Sequence, residues 1–157
     1  MSIFTMGPAI LFCPADRPDR YAKALERADA VILDLEDAVA PENKSAARQA
    51  LVDNPLDPER TIVRVNPVGT ADFSADLRAL SSTDYRTIML AKTEGPEDLS
   101  RLSAYAVVAL CETALGILNA QVIASTRNVV AMMWGAEDLV ASLGGSSSRR
   151  ESGTYRD

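Results

Sequence analysis

The sequence predicts an α/β fold of parallel strands, arranged as a (β/α)8 TIM barrel of which about six βα units are present. Three observations carry that prediction. Short apolar runs rich in β-branched residues alternate with amphipathic stretches along the chain. The runs are continuously apolar rather than alternating, as strands buried on both faces are. Finally, charged residues close these runs one after another, while the first connection, CPADRPDR, contains no glycine. A doubly wound sheet usually marks its ligand with a glycine-rich loop at that place, whereas a barrel gathers all its strand ends into one ring.

The elements follow in order. AILFCPA (9–15) is the first strand run, and Tyr21, Ala24, Leu25 and Ala28 then recur at helical spacing. AVILDLED (30–37) is the second, with Pro41 and Glu42 suited to the first turn of the next helix. Asn54-Pro55 and Asp57-Pro58 mark a loop before TIVRVN (61–66). Phe73, Leu77 and Leu80 predict a helix, TIMLAKTE (87–94) a strand, and Pro96 with Glu97 and Asp98 another helix start. VVALCE (107–112) precedes a helix predicted from Leu115, Leu118 and Val122, and NVVAMMWGAED (128–138) precedes Leu139 and Leu143 at helical spacing. The tail from Gly144, GGSSSRRESGTYRD, is polar without a strand signal. A complete barrel takes about 250 residues. Residues 1–157 therefore read as a single barrel domain incomplete on its C-terminal side.

Composition narrows the chemistry. A net charge of −6 with no Lys/Arg stripe argues against nucleic acid as a partner. No apolar run approaches the ~20 residues that cross a bilayer, and the first residues lack the basic stretch of a signal peptide. Cys13 and Cys111 lie in apolar strand runs, which predicts reduced, buried thiols in a cytoplasmic protein. Histidine is absent, which removes imidazole bases and histidine-ligated zinc sites.

Glu36 and Asp37 close the second run, Arg64 the third, Lys92 the fourth, Glu112 the fifth and Asp138 the sixth. In a barrel these ends converge. Two carboxylates and one arginine on a small polar cavity make a hard-cation site suited to Mg²⁺, which takes one or two carboxylates beside waters and substrate oxygens. A metal there polarises an α-keto or α-hydroxy carboxylate, and an arginine can stabilise an enolate oxygen. Structural readings compete. Glu112 and Asp138 could cap the following helices, Lys92 could pair with Glu94 or a neighbouring strand-end acid, and Arg17 and Lys23 suit a solvated helix start. Arg64, between Val63 and Val65, is costly to bury unpaired.

FCPADRPDRYAKAL (12–25), VILDLEDAVAPENKSAAR (31–48), VRVNP (63–67), ALCETALGI (109–117) and WGAEDLVASLG (134–144) together resemble the citrate lyase β-subunit family, within the HpcH/HpaI aldolase and malyl-CoA lyase group. The resemblance implies a Mg²⁺-dependent carbon–carbon lyase, often trimeric. Such an enzyme cleaves a 3-hydroxy-acyl thioester of the citryl-, malyl- or citramalyl-CoA kind to acetyl-CoA and a keto acid such as oxaloacetate. Its thioester is carried by CoA or an acyl carrier. It implies Glu112 and Asp138 as metal ligands, Arg64 on the acyl fragment and the enolate, and Glu36 and Asp37 holding metal-bound water. Arg17, Lys23 and Lys92, with backbone amides near Gly135 and Ala136, would meet substrate. Where the family has LPK, Ala91 precedes Lys92. The lyases use an aspartate in a C-terminal lid from a neighbouring subunit, which these 157 residues do not place. Two other expectations stand beside this one. They are a malate synthase-like condensation with thioester hydrolysis, and a non-catalytic homologue that binds metal and keto acid.

Overall fold

The computed structural model describes residues 4–146 and Ser152. Six strands, β1 (Ile10–Pro14), β2 (Ala30–Asp34), β3 (Thr61–Val65), β4 (Thr87–Leu90), β5 (Ala106–Cys111) and β6 (Val129–Trp134), form one sheet. All neighbours are parallel, and their spatial order is their sequence order. That order has no reversal, so it lacks the switch point at which a doubly wound sheet binds its ligand. It is the winding of a (β/α)8 barrel, with β1 and β6 at the edges of the described sheet.

The connections hold α1 (Tyr21–Arg27), α2 (Lys44–Asp53), α3 (Ala71–Leu80), α4 (Pro96–Ser100), α5 (Ala114–Leu118), α6 (Ala120–Ala124) and α7 (Ala136–Ser142). Pro41 opens a 3₁₀ turn that feeds α2, and Pro96 is the first residue of α4, where a missing N–H costs nothing. Repeated right-handed crossovers put helices on one face of the sheet. The packing shows this division. Val31, Leu33, Val63, Ile88 and Val107 pack with helical Tyr21, Leu51, Phe73, Leu99 and Ile123. Ile32, Ile62, Met89, Val108 and Leu110, which face the other way, form a separate core against Phe4 and Met6. The inner strands β2 to β5 thus bury both of their faces, which explains their continuous apolar runs, whereas Leu11 and Phe12 of β1 and Trp134 of β6 are exposed at the two sheet edges.

Three sequence expectations need correction. The strands stop earlier than the runs: β2 ends at Asp34, β4 at Leu90 and β6 at Trp134. Glu36, Asp37 and Lys92 therefore sit in turns, and Asp138 lies in the first turn of α7 rather than at a strand end. A carboxylate there faces the positive end of the helix, which is why an acidic run can leave the strand and enter the helix at once. The helix read through Leu115, Leu118 and Val122 is broken at Asn119, whose side-chain amide donates to the Glu94 carbonyl at 2.8 Å. Those three apolar side chains are exposed, while Gly116 and Ile123 make the inward contacts. The polar tail, beyond residue 146 and apart from Ser152, lies outside the described residues. Among the described residues no helix is long and apolar enough to cross a membrane.

Candidate functional site

Side-chain alternation along a strand decides which charges meet. Asp34 and Arg64 lie two residues beyond the inward-facing Ile32 and Ile62, so both point to the same side. They are also register partners across β2 and β3. The result is a forked pair: Arg64 Nε donates to Asp34 Oδ1 at 2.7 Å and Arg64 Nη2 to Oδ2 at 2.5 Å. Arg64 Nη1 lies 3.2 Å from Glu36 Oε2, and the guanidinium sits 5.1 Å from the centre of the Phe12 ring. The arginine that looked too costly to bury is paired, and Asp34 is the residue that sequence reading passed over. Its signal was present in the alternation of Ile32 and Asp34 on a strand whose neighbour carries Arg64 at the same register.

Asp34 also builds the turn after β2. Its carboxylate accepts from the backbone N–H of Glu36 at 2.8 Å and of Ala38 at 3.2 Å. From the other side Lys44 Nζ donates to the carbonyls of Leu35 (2.9 Å) and Glu36 (3.0 Å) and to Asn66 Oδ1 (2.7 Å). Asn66 is held in turn by the buried Asp76, which accepts from its backbone N–H and side-chain amide and from Arg48 Nε. Asp72 is the second partner of Arg48. Lys44, Asn66, Asp76 and Arg48 were not singled out from sequence, because their roles depend on contacts across different elements.

Lys92 is where the strand ends converge. Its Nζ lies 2.5 Å from Glu36, 3.3 Å from Asp138, 3.6 Å from Asp37 and 3.9 Å from Glu112. Of the two pairings open to Lys92 from the sequence, with Glu94 or with a neighbouring strand-end acid, the structure shows the second. The Lys92 backbone N–H also donates to Glu112 Oε1 at 3.1 Å, and the residue holds φ +52°, the one positive φ of a non-glycine among the described residues. Glu112 follows β5 directly and is buried. A Cβ on Gly135 would collide with its carboxylate, so glycine there is what lets the start of α7 approach. Asp37, Lys92, Glu112, Thr113 and Asp138 line a cavity of ≈ 370 Å³.

The electrostatics are those of crowded acids. Burial raises the Glu112 carboxyl, and the charges of Asp138 and Glu36 add to this; Lys92 opposes it, leaving the group pushed up to about 7. Burial likewise raises Glu36, partly offset by Lys92 and Arg64. Burial alone would lower the Lys92 ammonium. Its hydrogen bond to Glu36 and the charges of Glu36, Asp37 and Glu112 outweigh burial and hold it charged. Cys13 and Cys111 are free and buried, and burial raises both thiols, so neither is a nucleophile in waiting.

The expected residues divide into two groups. Glu36, Asp37, Lys92, Glu112 and Asp138 come together, with Arg64 joined through Glu36 and Gly135 packed on Glu112. Ala136 opens α7 beside them. Arg17 is instead engaged with Asp19 in an exposed pair, its Nη2 2.9 Å from Oδ2. Lys23 lines a separate groove with Leu11, Phe12, Arg20 and Arg27. Among the described residues no group of three or more His, Cys, Asp or Glu is arranged to hold a metal. Glu112 and Asp138 are two carboxylates that share the Lys92 ammonium as a neighbour.

Comparison with known proteins adds a family and relatives. A family model described as HpcH/HpaI aldolase/citrate lyase matches residues 9–156. The chain is 58% identical over all 157 residues to the citrate lyase subunit beta-like protein of Mycobacterium tuberculosis (strain ATCC 25618 / H37Rv), and spans 58% of that protein. It is 36% identical over 146 residues to a (3S)-malyl-CoA thioesterase of Cereibacter sphaeroides, covering 87% of this chain and 51% of the relative. A crystal structure of protein CitE from M. tuberculosis, in complex with magnesium, acetoacetate and coenzyme A, superposes with a TM-score of 0.93 at 60% identity, over 96% of this chain and 57% of that one. The chain thus spans little more than half the length of the curated relatives it matches.

Proposed function

This chain belongs to the HpcH/HpaI aldolase/citrate lyase family, and from that premise we propose that it binds Mg²⁺ and an oxo-acid carboxylate and serves carbon–carbon cleavage of a 3-hydroxy-acyl-CoA thioester. The observation that carries the reading is the meeting of Glu112 and Asp138 around one ammonium cation, on one cavity, with Arg64 joined to that cation through Glu36. The donor set fits a hard divalent cation: two carboxylates, one of them raised by its burial and further by the other's charge, and a glycine that leaves room beside it. Magnesium in the M. tuberculosis complex supports the choice of metal.

Bound by Glu112 and Asp138, Mg²⁺ would supply Lewis-acid polarisation of the oxo-acid portion. The chain's own residues do the rest. Cleavage breaks the bond between the carbinol carbon and the thioester α-carbon, and its electron pair passes into a thioester enolate. The hydroxyl oxygen becomes the ketone of the oxo acid and gives up its proton. Arg64 faces the enolate oxygen. Its Nε and one Nη2 hydrogen are held by Asp34, which fixes the plane of the guanidinium and leaves terminal N–H donors to meet developing charge without reorganising. Glu36 and Asp37 orient water on the cavity wall, and the Gly135–Ala136 backbone receives the oxo-acid carboxylate. Arg17 and Lys23 meet the thioester's phosphates in this reading; the hydroxyl proton goes to the lid aspartate of a neighbouring subunit, and the enolate carbon takes up a proton to give acetyl-CoA. A cytoplasmic homotrimer completes the proposal, checked by fractionation and light scattering.

A second reading, hydrolysis of the thioester, is favoured by the likeness to the malyl-CoA thioesterase. One assay separates them. The protein is incubated with Mg²⁺ and citryl-, malyl- or citramalyl-CoA, and the products are resolved. Acetyl-CoA with a keto acid supports the lyase, and free CoA with an intact hydroxy acid supports the thioesterase. Binding without turnover of any of the three identifies a non-catalytic homologue.

A further inference from the structure

We propose that Lys92 sets how tightly the Glu112–Asp138 pair takes a divalent cation, acting as an internal counter-ion that the metal must displace toward Glu36 and Asp37. The inference rests on the metal reading of Glu112 and Asp138 given above.

Three observations carry it. First, the Lys92 ammonium already lies 3.3 Å from Asp138 and 3.9 Å from Glu112. Magnesium stands about 2.1 Å from its oxygen ligands. A metal on Asp138 Oδ2 therefore falls no more than about 5.4 Å from the present Nζ position, where the ammonium and a dication repel strongly in a partly buried setting. Second, Lys92 is tied to its place. It occupies a left-handed backbone conformation that a non-glycine residue rarely adopts, and its own N–H holds Glu112 Oε1. A residue held in this way carries both a backbone donor to Glu112 and a side-chain charge near Glu112 and Asp138. Third, the ammonium has somewhere to go. Glu36 at 2.5 Å and Asp37 at 3.6 Å are two further acids within its reach, and a third of the Lys92 side chain is open to solvent.

Lys92 thus neutralises the acids when no metal is present and opposes the metal when it arrives. Metal affinity is lowered by the same charge that holds the Glu36 carboxylate in place at 2.5 Å. An oxo-acid carboxylate entering the cavity offsets that charge, so metal and oxo acid enter together more readily than metal alone.

The test is isothermal titration of the chain with Mg²⁺ alone, using wild type, Lys92→Met, Lys92→Gln and Lys92→Arg, with Glu112→Gln as the site control. The expected result is that the neutral variants bind Mg²⁺ about ten- to a hundredfold more tightly, while Lys92→Arg stays within about threefold of wild type. Structural damage would weaken binding, so tightening is a readout that a merely structural lysine does not give. Circular dichroism identifies the folded variants, and either neutral variant alone suffices. Equal or weaker binding by a folded neutral variant, with wild type binding normally, overturns the role of Lys92 and leaves the metal site standing. No binding by wild type and neutral variants overturns the metal reading, and the role of Lys92 with it.

Discussion

Replacing Asp34 by asparagine tests the buried charge network most sharply. The Asp34 carboxylate is fully buried and accepts four hydrogen bonds, two from Arg64 and one each from the N–H of Glu36 and Ala38. Asparagine keeps the shape but turns one acceptor into a donor that faces other donors. Removing one partner of a buried ion pair costs about 3–5 kcal/mol, because the remaining charge stays buried and uncompensated. That is a large share of the roughly 5–15 kcal/mol by which a domain is stable. With a urea slope of about 2 kcal/mol per M, the midpoint should fall by about 1.5–2.5 M. Equilibrium urea unfolding followed by circular dichroism measures it. A double-mutant cycle with Arg64→Met should give a coupling of about 2–3 kcal/mol. A midpoint within about 0.3 M of wild type, or a coupling near zero, would refute the claim that this pair holds the turn carrying Glu36.

Other consequences are open to measurement. Glu112 must be ionised to bind metal, so apparent Mg²⁺ affinity should fall about tenfold per pH unit below about 7 and level off above it, by calorimetry at several pH values. In metal-free protein the sign reverses. A carboxyl raised above its ordinary value contributes stability in acid that is lost as pH rises through about 7. The melting temperature should therefore fall from pH 5 to pH 8, and Glu112→Gln should flatten that slope. Gly135→Ala places a Cβ against the Glu112 carboxylate and should cost about 1–3 kcal/mol together with a loss of Mg²⁺ affinity, whereas unchanged melting and binding would show that the approach is not needed. Lys44→Met removes donors to Leu35, Glu36 and Asn66 and should destabilise by about 2–3 kcal/mol, read from urea unfolding.

What the sequence made legible follows from how local each signal is. The parallel strands and their order were readable because both faces of the sheet are buried, which leaves continuous apolar runs such as AVILD. Glu112 was placed correctly because it continues the inward alternation of Val108 and Leu110 by one more step. Asp138 was assigned to a strand end and proved to sit in a helix, since WGAED carries no turn residue beyond Gly135 to mark the change. Asp34 was passed over because its partner lies 30 positions away, and only the β2–β3 register brings it beside Arg64. The Lys44–Asn66–Asp76–Arg48 chain was hidden for the same reason. The broken helix at Asn119 depended on the Glu94 carbonyl from a different connection, which no local pattern announces.

The central claim is that Glu112 and Asp138 hold a divalent metal that in turn receives an oxo acid. Calorimetric titration of oxaloacetate into wild type, Glu112→Gln and Asp138→Asn, each with and without Mg²⁺, tests it most directly. Binding to wild type only when Mg²⁺ is present, and its loss in both variants, is the predicted result. Equal binding of oxaloacetate by wild type and either variant in the presence of Mg²⁺ would contradict it.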